Sequence, residues 1–151
     1  MRNTLGIAIA VLALACPAMG ASLSKEDYQA AKKRIAAEYE VERQKCGARF
    51  GNALDECVAR AHGIRDVAKA ELEAAYKPSS RTNYDAAIAR AKSAHAVAKE
   101  QCDEKRGPEK KACIKDAKAS LAQATAEAKA ARTAARAEEG AKRPARWSRE
   151  R

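Results

Sequence analysis

The sequence predicts an all-α protein built from two tandem, disulfide-stapled helical hairpins, four helices in an elongated arrangement. Three observations predict it. Alanine, lysine, glutamate and arginine, all good helix formers, dominate the composition. The chain repeats itself after 56 residues, and each repeat carries two cysteines with ten residues between them. The predicted divisions are a signal peptide over 1–20, hairpin repeats over 22–77 and 81–138, and a basic disordered tail over 139–151.

The N-terminal segment has the three parts of a secretory signal peptide. Arg2 supplies the positive charge, residues 5–15 are apolar, and Ala18 and Gly20 are small residues at the cleavage positions. The apolar run is too short to span a bilayer, and no later segment is long and uncharged enough to do so. We therefore expect a periplasmic or secreted protein.

Cys16 raises the question of a lipid anchor. It ends the stretch Ala13 to Cys16, which approaches a bacterial lipobox, but the large aliphatic residue of that motif belongs where Ala13 stands. Two outcomes stay open: lipidation of Cys16, or its removal with the signal peptide, which the mismatch favours. In both cases four cysteines remain in an oxidising compartment.

Composition predicts a thin core. Only 13 Leu, Ile, Val and Phe residues follow position 21, about a tenth of the chain, and the net charge of +10 falls to +9 once Arg2 is removed. So little apolar surface makes covalent staples necessary for a stable fold.

The internal repeat is the strongest single signal. No insertion is needed over residues 28–76, and chance matching explains aligned alanines but not aligned tyrosines, glycines and cysteines. The diagnostic pairs are Tyr28 with Tyr84, Cys46 with Cys102, Gly51 with Gly107, and Cys57 with Cys113.

The first repeat is expected to form a helix, a turn and a helix. Ser24 is the expected N-cap of the first helix, Gly47 and Gly51 interrupt it, and Asn52 with Asp55 starts the second. Helical spacing predicts two buried faces. They comprise Tyr28, Ala31, Ile35 and Tyr39, then Leu54, Val58, Ala61, Ile64 or Arg65, Ala68 and Leu72.

The second repeat follows the same plan. Thr82 with Asp85 is expected to start the third helix, and Gly107 precedes Pro108 at the first position of the fourth, which should stop at Gly140. The expected inward positions are Ile88, Ala91, His95, Cys102, Ile114, Ala117 and Leu121.

The cysteine spacing predicts how the sulfurs pair. A continuous helix from Cys46 to Cys57 would hold them about 16 Å apart, beyond disulfide reach, whereas a reversal at Gly51 brings them together. The preferred bonds are Cys46–Cys57 and Cys102–Cys113. A ladder that joins Cys46 to Cys113 and Cys57 to Cys102 stays open as the minority pairing, because it would place Gly51 and Gly107 inside helices.

Sites for chemistry are scarce. Zinc sites usually hold cysteines two to four residues apart, and the sequence has no C-x-x-C redox motif, haem motif or phosphate-binding glycine loop. His95 takes the place of Tyr39 and should be partly buried, whereas His62 aligns with Lys118 and should be exposed. Without a nucleophile and base pair, the sequence predicts no enzyme, no cofactor and no metal site.

The end of the chain is strongly basic. Residues 141–151 hold one acidic residue, Glu150, and the only tryptophan. Such a segment can bind an anionic surface, although a merely solubilising tail fits equally well. The predicted contact residues are Lys142, Arg143, Arg146, Trp147, Arg149 and Arg151.

The signal peptide, the alanine-rich and lysine-rich helices and the repeated Tyr-x17-Cys-x4-Gly-x5-Cys unit resemble a group of small exported proteins of proteobacteria. These proteins are often labelled TolA-like, and the resemblance covers Met1 to about Ala137. It implies a periplasmic or envelope setting and no established activity. TolA itself carries a transmembrane anchor and a separate C-terminal domain, and we expect neither in this chain.

These observations together predict a non-catalytic, envelope-associated periplasmic protein that acts through its surfaces. The expected partner is an envelope protein or an anionic envelope surface, lipid or lipopolysaccharide, and a homodimer is compatible with the sequence. One alternative is a basic nucleic-acid-binding protein, against which export counts. The other is a thiol-redox or metal-binding periplasmic protein.

Overall fold

The computed structural model describes residues 23–142, and the all-α prediction is confirmed over them. The four helices are α1 (Lys25–Gln44), α2 (Gly51–Tyr76), α3 (Ser80–Asp103) and α4 (Gly107–Ala141). The predicted signal peptide, Cys16 and residues 143–151 lie outside the described residues.

The helices pack in the order of the chain. Within residues 23–142, α2 contacts α1 and α3, and α4 contacts α3, without contacts between helices further apart in sequence. Neighbouring helices are antiparallel, as shown between α2 and α3 by the hydrogen bond of 2.9 Å from the Asn52 side chain to the Glu100 carbonyl oxygen. Both hairpin turns therefore lie at one end of the molecule, and the turn at 77–79 lies at the other.

The predicted start of α1 is confirmed. Ser24 is its N-cap, and the Ser24 hydroxyl oxygen accepts a hydrogen bond of 3.0 Å from the Asp27 backbone N–H. The first turns of α1 then bury Tyr28 and Ile35 against Leu72 of α2. The base of the first hairpin is thus held by the largest apolar side chains in the core.

The predicted start of α2 is wrong. Phe50 occupies the N-cap position and contributes no side-chain hydrogen bond to it, and the helix begins at Gly51. The Asn52 amide instead points across to α3 and donates to the Glu100 carbonyl oxygen, which belongs to the last helical turn. Asn52, which was expected to cap α2, therefore donates a hydrogen bond to the C-terminal turn of α3 instead.

The predicted start of α3 is wrong by three residues. Ser79 is the N-cap, and Thr82, expected there, is the third helical residue and completes a reciprocal capping box with Ser79. The Glu139 carboxylate of α4 accepts hydrogen bonds from the Ser80 backbone N–H at 3.1 Å and hydroxyl at 3.2 Å. These bonds hold the last turn of α4, which runs to Ala141, three residues into the segment assigned to the tail. The predicted stop at Gly140 is therefore wrong, because Gly140 has no positive φ and lies inside the helix.

The core is as thin as the composition predicts. Beyond the base of the first hairpin, the buried side chains are mostly alanine, and the largest side chains with less than 2 % of their surface exposed are Cys46 and Cys102. Arg65, not Ile64, completes the inner face of α2, since Ile64 is exposed. The buried apolar residues are Tyr28, Ala31, Ile35, Cys46, Ala61, Leu72, Ala86, Ala91, Cys102, Ala117 and Ala128.

The 56-residue repeat is visible in equivalent contacts. In the first hairpin the rings of Tyr28 and Tyr76 stack with their centroids 4.2 Å apart. At the equivalent positions of the second hairpin, the Arg132 guanidinium lies 5.1 Å from the centroid of the Tyr84 ring. An aromatic stack is thus replaced by a cation–π contact, and the two hairpins keep the same helix register.

Candidate functional surface

Both hairpin turns are closed by a disulfide. Cys46 and Cys57 have Cα atoms 5.6 Å apart, and Cys102 and Cys113 have Cα atoms 5.5 Å apart, which is ordinary disulfide geometry. This is the preferred pairing of the two predicted from the sequence. The disulfides indicate an oxidising, extracytoplasmic environment.

Each disulfide has one deeply buried half. Cys46 is 1 % exposed and Cys102 is 0 % exposed, whereas Cys57 and Cys113 are half-buried. Cys46 and Cys102 are buried where most hairpins would have larger apolar side chains, so the disulfides form part of the packed interior. A thiolate approaching from solvent therefore meets only one sulfur of each bond.

We define the tip face as residues 45–50, the first hairpin turn, and residues 104–111, the second hairpin turn with the first five residues of α4, at the disulfide-bearing end. It holds six basic and two acidic residues. The N-termini of α2 and α4 lie at this end, but so do the C-termini of α1 and α3, so the helix dipoles largely cancel and the charged side chains set the potential. The tip face is therefore positively charged.

Two of its cations are neutralised by carboxylates. Lys45 pairs with Glu42 at 2.5 Å and Lys110 pairs with Asp103 at 2.8 Å. The hydrogen bond from Lys110 lowers the pKa of Asp103 below its usual value. The other four cations are exposed and form no ion pair within residues 23–142. They are Arg49, Lys105, Arg106 and Lys111.

A polar contact ties the two hairpins together just below the tip face. The Gln101 side chain of α3 donates a hydrogen bond of 3.0 Å to the Glu56 carboxylate of α2, and Arg60 donates a second at 2.5 Å. Both bonds lower the pKa of Glu56, and the bond from Gln101 has the larger effect. The two turns are thus fixed side by side.

Phe50 is the feature of the tip face that the sequence reading missed. Its side chain is 84 % exposed, more than Val41 or Ile64, the other large apolar side chains exposed among the described residues. The repeat alignment places Phe50 opposite Arg106, and both are N-cap residues. That mismatch was the available signal, because a buried turn position would have been apolar in both repeats.

The two histidines are both half-buried. His95 is half-buried, as predicted, but the prediction that His62 is exposed is wrong. The His62 ring lies beside the Tyr39 ring of α1, with 5.3 Å between their centroids. The prediction failed because it relied on the alignment of His62 with Lys118 and did not consider this aromatic partner. Within residues 23–142, no three His, Cys, Asp or Glu side chains lie close enough together to hold a metal ion.

A surface groove runs between α2 and α3. Its volume is about 600 Å³, and its charged lining residues are Asp66, Asp85 and Lys92. Acidic and basic side chains are mixed there, so the groove has no strong preference for a charged ligand. It does not include Phe50.

The structure reaches only the first of the predicted tail contacts. Lys142 is exposed at the C-cap of α4. The remaining five residues predicted to contact an anionic surface lie outside the described part of the chain. No helix between residues 23 and 142 has the length and hydropathy of a membrane span.

Comparison with known proteins finds no matching family model, no matching curated protein and no matching solved structure.

Proposed function

We propose that this chain is a non-catalytic, periplasmic, envelope-associated protein that acts by surface interaction. The observation that carries the proposal is the pair of disulfides, which closes two hairpins that bury few large apolar side chains. All four cysteines within residues 23–142 form disulfides, and basic side chains outnumber acidic ones in that range. The resemblance to small exported proteins of proteobacteria supports the same setting.

The partner we propose is an anionic envelope surface or an envelope protein that presents one. The chain carries ten more basic than acidic residues. Several of those cations, including Lys142 and the four unpaired cations of the tip face, are exposed. Their attraction to an anionic surface is screened by salt over about 10 Å at 0.1 M.

Cell fractionation tests this proposal. We expect the disulfide-bonded protein in the periplasm, retained on the envelope fraction at low salt and released by about 0.5 M salt. The comparison variant lacks residues 143–151, a deletion that leaves α4 complete. The difference in envelope retention between the two proteins measures how much the predicted tail contacts contribute to binding. Recovery of the protein from the cytoplasm, or from the soluble periplasm at every salt concentration, would contradict the proposal.

A further inference from the structure

The exposed ring of Phe50 is carried by a restrained turn. A single exposed apolar side chain is ordinary on a protein surface. The turn that carries Phe50, however, is bracketed by the Cys46–Cys57 disulfide, and α2 begins at the next residue. The backbone at Phe50 is therefore restrained at the end of the molecule and loses little conformational freedom when a partner covers the ring.

The second turn presents a cation where the first presents the ring. Arg106 is the N-cap of α4 as Phe50 is the N-cap of α2, and the two turns lie at the same end. Arg49, Lys105 and Lys111 are exposed on the same tip face and form no ion pair within the described residues. One aromatic ring is thus accompanied by four unpaired cations, which outnumber the exposed carboxylates of Glu104 and Glu109 on the same face.

We propose that the tip face docks on an anionic phospholipid bilayer. The Phe50 ring enters the boundary between headgroups and acyl chains, and the four cations bind lipid phosphates. An apolar anchor beside basic side chains is the combination that anionic membrane surfaces attract. This inference rests on the proposed function and deepens it by naming the surface of the protein and the lipid that it meets.

The location of Phe50 favours a bilayer over a protein partner. The groove between α2 and α3 excludes Phe50, and so does the groove between α3 and α4 that Lys105 and Glu109 line. A ring outside both grooves at the end of a molecule fits a flat, deformable surface. The binding we expect is reversible and salt-dependent, because it combines one apolar anchor with screened charges.

Co-sedimentation with vesicles tests the docking surface. The full, disulfide-bonded chain is mixed with vesicles of phosphatidylcholine alone or with added phosphatidylglycerol. We expect binding to the anionic vesicles only, weakened on the order of tenfold by Phe50→Ala. We expect Arg106→Glu to weaken it by about tenfold as well. The matched controls, Ile64→Ala in the middle of α2 and Lys33→Glu on α1, should bind more tightly than the corresponding tip variants.

A fluorescent reporter follows the ring itself. Trp147→Phe removes the only tryptophan, and Phe50→Trp in the same full chain then places a single one at the tip face. Its emission should shift to the blue with anionic vesicles, and should stay unchanged with phosphatidylcholine vesicles or inorganic phosphate. Because Phe50 contributes almost nothing to the core, helicity should be unaffected, and circular dichroism checks it.

Three results would overturn the tip-face proposal. These are Phe50→Ala binding equal to that of the unmodified chain, absence of a blue shift, or binding that vanishes completely when residues 143–151 are removed. In the last case the proposed function stands and the tail carries it. Retention on the envelope without any binding to anionic vesicles would likewise overturn the docking on lipid and leave an envelope protein as the partner.

Discussion

At the scale of single residues, two glycines determine where each hairpin reverses. Gly51 and Gly107 have φ angles of +55° and +53°, in the left-handed region, and each is the first residue of a helix. A Cβ atom built on either would meet nothing within 4 Å. The requirement for glycine is therefore one of backbone conformation and not of space.

Gly107→Ala should destabilise the protein by about 1 kcal/mol, since an L side chain is disfavoured at that φ. Gly140→Ala is the matched control, because Gly140 lies in α4, has no positive φ and also meets nothing within 4 Å. That variant should be neutral or more stable, by up to about 1 kcal/mol. Urea denaturation measures both, and equal effects of the two variants would show that the turn does not need glycine.

Tyr28 gives the fold a dependence on alkaline pH. Its hydroxyl donates a hydrogen bond to the Glu73 carboxylate, and this bond, with burial, raises the pKa of Tyr28. The stabilisation is present below the ordinary tyrosine pKa of about 10 and is lost as pH rises through the raised value of the folded state. Tyr28→Phe should therefore lower the thermal midpoint at pH 7 and differ less from the unmodified protein above pH 10.

Tyr84→Phe is the control for this effect. Tyr84 is the equivalent tyrosine of the second hairpin, but its ring contacts the Arg132 guanidinium, whereas Tyr28 contacts the Tyr76 ring and the Glu73 carboxylate. Thermal midpoints between pH 7 and 11 would be compared for the three proteins. A constant difference between Tyr28→Phe and the unmodified chain over that range would contradict the role of the Glu73 bond.

At the scale of elements, the contact between α2 and α3 joins the two hairpins. The helices approach closely at Gly63, where an added Cβ would lie 2.0 Å from the Ser93 Oγ atom and 2.9 Å from the Ser93 Cβ atom. The equivalent residue of α4 is Ala119, which is exposed. The two hairpins thus differ at this position, because α2 packs against α3 there and the equivalent residue of α4 is exposed.

Gly63→Ala should destabilise the protein by about 1 to 3 kcal/mol through overpacking, which outweighs the gain of about 1 kcal/mol in helix propensity. Adding Ser93→Gly should recover much of the steric cost, and the double-mutant cycle isolates that coupling. Stabilisation by Gly63→Ala alone would mean that α2 and α3 lie further apart than described here.

The sequence predicted the helices better than their ends. The repeat and the cysteine spacing were enough to predict four helices, the hairpins and the disulfide pairing, because these follow from local periodicity and chain geometry. The caps of α2 and α3 were wrong because they depend on neighbours: Asn52 serves the end of α3, and Glu139 serves the start of α3. The exposure of Phe50 was missed because an apolar turn residue alone is consistent with a buried contact, and only its alignment with Arg106 indicates an exposed position.

At the scale of the whole molecule, a serial array of helices buries little apolar surface. The largest fully buried side chains are two cysteines of the disulfides, and the ion pairs are mostly exposed. Exposed pairs contribute about 0 to 1 kcal/mol each, whereas each disulfide contributes about 2 to 4 kcal/mol. We conclude that the disulfides supply a large share of the net stability.

Reduction should therefore lower the thermal midpoint more than in a globular domain of similar size. Far-UV circular dichroism with and without dithiothreitol measures the change. The Cys46→Ala/Cys57→Ala variant should show part of the loss without reductant, which separates the first staple from the second. An unchanged midpoint after complete reduction would show that helix packing alone holds the fold.

The central claim is that an exported chain closes each hairpin with its own disulfide, and peptide mapping of the protein purified from the periplasm under non-reducing conditions tests it most directly. Trypsin cuts after Arg49 and Lys105, so each bond joins separate peptides. We predict residues 46–49 linked to 50–60, and residues 100–105 linked to 112–115. Linkage of 50–60 to 100–105, or free thiols at these four cysteines, would contradict it.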